Sequence, residues 1–84
     1  MKATLRDMKV GENGTVSGYA KGATAYREKL LAMGLTRGVE FVVERIAPMG
    51  DPVEIQLRGF ALTLRKDEAS ALIVEKTVER GKLS

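Results

Sequence analysis

The chain is predicted to fold as a mostly β domain: a small closed or nearly closed barrel with one α-helix and one short helical turn. Three observations predict this. Short runs rich in β-branched residues alternate apolar and polar side chains. Glycine- and proline-marked turns interrupt them about every eight to twelve residues, the rhythm of small all-β barrels and sandwiches. Only one stretch has a helical period, whereas a parallel sheet would need repeated strand–helix units. At 84 residues there is room for one domain and no second.

The elements follow in order. Gly11 and Gly14 bracket a polar turn at Glu12 and Asn13, which leads into a strand at 15–19. The helix is expected at 24–33, with Thr24 as N-cap. Tyr26, Leu30 and Met33 recur at helical spacing as a core-facing stripe widened by Leu31, a plug for one end of the barrel. Gly34 stands where a left-handed C-terminal cap is wanted. After a turn at Thr36, Arg37 and Gly38 the period changes to two, and 39–46 reads as a strand. Pro48 and Pro52 enclose a stiff loop, Met49-Gly50-Asp51, that cannot continue a ladder.

The runs 53–58 and 61–65 form a hairpin about Gly59-Phe60, which pairs Leu57 with Leu62 and Ile55 with Leu64. A simple register through the proline loop cannot place Phe41 and Val43 on the face of Ile55 and Leu57. A bulge or an asymmetric loop is therefore expected between those strands. A short helical turn at 66–70 precedes a last strand at 72–75. The barrel domain thus occupies 1–76, and 77–84 is a C-terminal tail anchored only by Val78 and Leu83.

Composition excludes more than it assigns. The chain has no cysteine, no histidine and no tryptophan. It therefore has no disulfide framework, no structural zinc site of the usual kind, and no Ser-His or Cys-His nucleophile pair. Fourteen basic and eleven acidic residues give a net charge of +3 that is interleaved along the chain. Such a balance is ordinary solubility charge. No apolar run approaches the length of a membrane span, and the first residues lack the apolar block of a signal peptide. A cytoplasmic location is expected.

Site chemistry is correspondingly sparse. No glycine-lysine-serine/threonine run leads into the helix, so no phosphate-binding loop of that type is present. The exposed helix face supplies Arg27 and Lys29, groups that a protein partner or a nucleotide phosphate would meet. On the proline loop, Met49 is an apolar anchor and Asp51 a neighbouring charge. These four are the candidate partner contacts. No catalytic group and no cofactor are expected. A weak Fe²⁺ site through carboxylates such as Glu40, Glu44, Asp67 and Glu68 is a minor alternative. A nucleic-acid-binding barrel is another, but Glu40, Glu44 and Glu54 would interrupt a basic track, and the aromatic set is small.

The segment Tyr26-Arg27-Glu28-Lys29-Leu30-Leu31-Ala32-Met33-Gly34-Leu35-Thr36-Arg37-Gly38 resembles the signature of the FeoA family: a helix ending in a leucine-rich turn, a glycine, and a second glycine just before a strand. The resemblance continues through Ala47-Pro48-Met49-Gly50-Asp51-Pro52, Gly59, Leu62-Thr63-Leu64-Arg65-Lys66-Asp67-Glu68-Ala69 and Leu72-Ile73-Val74. Many relatives carry proline where this chain has Arg37. The resemblance implies an SH3-like barrel of five or six strands. It also implies a cytosolic regulator or adaptor of bacterial ferrous-iron uptake. Such a protein would act by contact with FeoB, a membrane permease with a cytosolic G-protein domain that could recruit it to the inner membrane face. Activation of that domain with Arg27 or Arg37 near the transferring phosphate is a narrower form of the same idea. Self-association is left open.

Overall fold

The computed structural model describes residues 2–77. Six antiparallel strands form one sheet in the order β1-β6-β2-β3-β4-β5. They are β1 (Lys2–Thr4), β2 (Asn13–Tyr19), β3 (Glu40–Ile46), β4 (Val53–Leu57), β5 (Phe60–Leu64) and β6 (Leu72–Thr77). The helices are α1 (Thr24–Ala32) and α2 (Lys66–Ala71), and Leu5–Asp7 is a 3-10 turn. Strands β1 and β5 are the sheet's free edges. Helix α2 packs against both of them, and against the 3-10 turn and β6, so it closes the gap that backbone pairing leaves open.

Burial follows the period of two. In β2 the inward residues are Gly14, Val16 and Gly18, and in β4 they are Val53, Ile55 and Leu57. Together with Phe41, Val43, Leu64, Leu72 and Val74 they form one continuous core, which Leu5 and Met8 complete from the N-terminal side. Gly14 is small for a reason. A Cβ built there would stand 2.8 Å from Cζ of Phe41 and 3.1 Å from Cε of Met8. The missing side chain makes room for the larger ones.

Of the bulge or asymmetric loop expected between β3 and β4, the structure shows the bulge: Val43 pairs with Ile55, then Arg45 with Glu54, so Glu44 is the extra residue. The hairpin exists, but its register differs from the expected one. Leu57 pairs with Phe60, Ile55 with Leu62 and Val53 with Leu64, around a turn at Arg58-Gly59. The Leu57–Phe60 pairing puts Gly59 at the second central position of the turn, where its φ of +89° is accommodated. The slip is two residues, which keeps every side chain on its expected face. A slip of one would have inverted them.

Two further expectations are corrected. The N-cap of α1 is Ala23, not Thr24, and no side chain caps this end. Nor is α1 a plug. Of its nine residues only Leu30 is buried, while Tyr26 is 37% and Leu31 39% exposed, and Met33 is half-buried. The sequence also missed β1, which brings the strands to six. Thr77, assigned to the tail, is the last residue of β6, and 78–84 lie outside the described residues.

Candidate functional site

The C-terminal end of α1 is fixed by local hydrogen bonds. The amide of Gly34 donates to the carbonyl of Leu31, and that of Leu35 to Leu30, both at 3.0 Å. That pair of bonds is a Schellman motif, and Gly34 supplies the left-handed residue at φ +99°. Leu30 and Leu35, the apolar pair that accompanies such a cap, are both fully buried. The hydroxyl of Tyr19 donates to the carbonyl of Leu35 at 2.7 Å and ties the corner to β2.

Beside this corner lies a groove of about 660 Å³ between the start of β3 and the turn joining β4 to β5. Val39, Phe41, Leu57 and Phe60 give it an apolar lining, and Glu40 and Arg58 place one charge of each sign on it. The Phe60 ring reaches across to Gly34, 3.6 Å from where a Cβ would stand there, and is 44% exposed. Gln56 holds the hairpin end in shape: its Nε2 donates to the carbonyls of Leu57 and Phe60 at 3.1 and 3.2 Å. A volume of this size is in the range of ordinary binding pockets, about 300–1,000 Å³.

The four candidate contacts have different fates. Met49 stands at the tip of the proline loop and is 89% exposed. Asp51 is engaged: its Oδ1 accepts from the amide of Lys66 at 3.0 Å, at the first residue of α2. Lys29 is engaged as well, in an ion pair with Glu68. Tyr26, one turn before Lys29, directs its hydroxyl to Asp67 at 3.4 Å. The loop and one side of α1 are therefore tied to α2. Arg27 points away from α2, with its guanidinium carbon 5.9 Å from the centre of the Tyr19 ring.

Glu68 is the one buried charged residue among those described. Burial pushes its carboxyl up, but the Lys29 ammonium and the hydrogen bond from the Arg65 amide outweigh that and hold it below its usual value. Asp7 is held low by hydrogen bonds from the Thr4 amide and hydroxyl, and it closes the first turn of the chain. These carboxylates cap and tie the backbone. Among the described residues no three acidic groups are gathered as metal ligands, and no helix is long and apolar enough to cross a membrane.

Sequence reasoning placed Phe60 in a turn and missed it as a groove residue. The available signal was an aromatic beginning an uncharged strand, Phe60–Leu64. It also did not bring Arg37 beside Arg27; both line a second, smaller cleft with Lys21 and Tyr19.

This architecture is shared with known proteins. The FeoA domain family matches residues 3–76. The NMR structure of a FeoA-like protein from Clostridium acetobutylicum is 37% identical, covers 93% of this chain and 90% of its own, and superposes with a TM-score of 0.82. A zinc-complexed FeoA from Stenotrophomonas maltophilia, described as an SH3 domain protein, shares the fold with a TM-score of 0.73. It is 22% identical and covers 87% of this chain and 89% of its own. A fusion of Fe(2+) transport protein A with the Fe(2+) transporter FeoB, from Porphyromonas gingivalis, is 27% identical over 71 residues. That match takes in 84% of this chain but 8% of the fusion protein. With the family match spanning nearly the whole barrel, the chain belongs to the FeoA family, which is linked to ferrous-iron transport.

Proposed function

We propose that this chain is a cytosolic accessory regulator of ferrous-iron uptake that docks on an FeoB-type permease and shifts the balance of states of its G-protein domain. One observation carries the reading: in the P. gingivalis relative, the transport protein A part and FeoB are one polypeptide. Fusion raises the effective concentration of two parts to the millimolar range, which suits a contact that is weak when the parts are separate. The groove supplies the docking surface. Its exposed Phe60 is an aromatic anchor held on a rigid hairpin end, the kind of residue that dominates binding energy. Met49, exposed on the loop at the far end of β3 and β4, and Arg27 lie away from this groove and are secondary contacts, while Lys29 and Asp51 act through α2, which they hold in place. The work is contact, and no resident metal or cofactor enters it.

The test is titration of the chain against a full-length FeoB-type permease in nanodiscs, in GDP- and GTP-bound states. Saturable binding is expected, together with a changed rate of GTP turnover. Phe60→Ser, checked for folding by its amide spectrum, is expected to weaken binding about tenfold or more. Absence of association in every nucleotide state, or unchanged affinity of the variant, would contradict the reading.

A further inference from the structure

At the other end of α1 three cations converge. Lys21 comes from the turn after β2, Arg27 from the helix and Arg37 from the turn before β3, and all three line one polar cleft of about 230 Å³. Both guanidiniums rest on β2. Arg27 lies over the Tyr19 ring, and Arg37 lies across Gly18, with Nη2 3.9 Å from the position a Cβ would take. None of the three is ion-paired with a carboxylate of a described residue. Like charges held together without counter-charge repel one another, and an anion seated between them removes that repulsion. Guanidinium forks match the oxygens of a phosphate better than any other common anion except a carboxylate.

Two further features select the ligand. The cleft is smaller than the pockets of about 300–1,000 Å³ that bury drug-sized molecules, so it fits a phosphate or diphosphate group rather than a whole nucleotide. Thr24, at the first turn of α1, also lines it, and that turn has neither a capping side chain nor an acidic residue. Its amides thus add to the positive field that the side chains create.

We infer that this cleft is a phosphate-group site, with Arg27 and Arg37 as the direct ligands and Lys21 as a supporting charge. It lies at the opposite end of α1 from the groove and does not depend on the permease reading. A free phosphoanion and the phosphomonoester headgroup of a lipid both present the required chemistry, and the experiment separates them. In one arm, ¹⁵N amide shifts of the chain are followed during titration with sodium diphosphate at constant ionic strength. In the other, flotation is measured with vesicles containing phosphatidic acid. Saturable shifts confined to residues 20–27 and 37 identify a free anion as sufficient, and saturable flotation without them identifies the headgroup. In either arm Arg27→Gln and Arg37→Gln each weaken binding about tenfold or more. Lys9→Gln, which removes an equal charge outside the cleft, changes it less than about twofold. No saturable response in either arm overturns the inference. So does an equal loss in all three variants, which would mark a general charge effect.

Discussion

The two ends of α1 present opposite chemistry on one nine-residue helix. At the C-terminal end the backbone is satisfied, Leu30 and Leu35 are buried, and an apolar groove opens against Phe60. At the N-terminal end no side chain caps the helix, and three cations without an ion pair among the described residues surround it. The difference shows that α1 is held by its last turn and by α2, while the rest of it is displayed. Such a helix contributes little core and much surface, which suits the proposed docking role.

The comparison can be broken most forcefully at its anchored end. Leu30→Ala is expected to cost about 2–5 kcal/mol in urea unfolding, the usual range for a fully buried leucine. Leu31→Ala, on the displayed face, should cost well under half of that. Equal losses would mean that the helix packs as a plug after all.

The tie between α1 and α2 comes next. Glu68→Gln is expected to cost about 1–3 kcal/mol, because a buried carboxylate that accepts from Lys29 and from the Arg65 amide is replaced by a group that meets neither demand as well. The same tie makes stability depend on pH. The Glu68 carboxyl is held below its ordinary value of 4.5 in the fold, so its contribution is complete above that pH and is lost as pH falls through the lower folded value. Asp7, also held low, adds loss in the same direction from its ordinary 3.8 downward. Thermal melts between pH 6 and 3 should show a steeper acid loss for the parent chain than for Glu68→Gln.

Backbone substitutions give the smaller effects, and their signs differ between the two ends. Gly34→Ala places a side chain at φ +99° and should cost about 1–2 kcal/mol. Ala23→Asp should stabilise the chain by about 0.5–1 kcal/mol, by supplying the missing cap. That substitution sharpens the comparison further. The new carboxylate competes for the same amides and cations, so it should weaken diphosphate binding while raising the melting temperature.

How much of this was legible in the sequence depended on the range of the interaction that decides it. The faces of β3 and β4, the need for a bulge or an asymmetric loop between them, and the cap at Gly34 follow from alternation and local backbone needs and agree with the structure, which alone places the bulge at Glu44. The β4–β5 register was not legible, because a two-residue slip leaves the same residues facing inward and both turns accept a glycine of positive φ at position 59. Strand β1 is three residues long and owes its conformation to β6, which pairs Ala3 with Val74. The stripe Tyr26, Leu30 and Met33 is periodic, yet the barrel meets only its last turn. Among the candidate contacts, the exposure of Met49 could be foreseen from a loop between two prolines. The engagement of Lys29 and Asp51 could not, because Glu68 and Lys66 lie 39 and 15 residues away from them in sequence. The convergence of Lys21, Arg27 and Arg37 is likewise a product of the fold.

The central claim is that the apolar end of α1 is the docking end. Its most direct test is a map of amide line broadening on the ¹⁵N-labelled chain when the full-length permease in nanodiscs is added. The account predicts broadening concentrated at Gly34, Glu40, Phe41, Leu57 and Phe60, with residues 20–24 sharp. Broadening centred elsewhere on the barrel, or none at saturating permease, would contradict it.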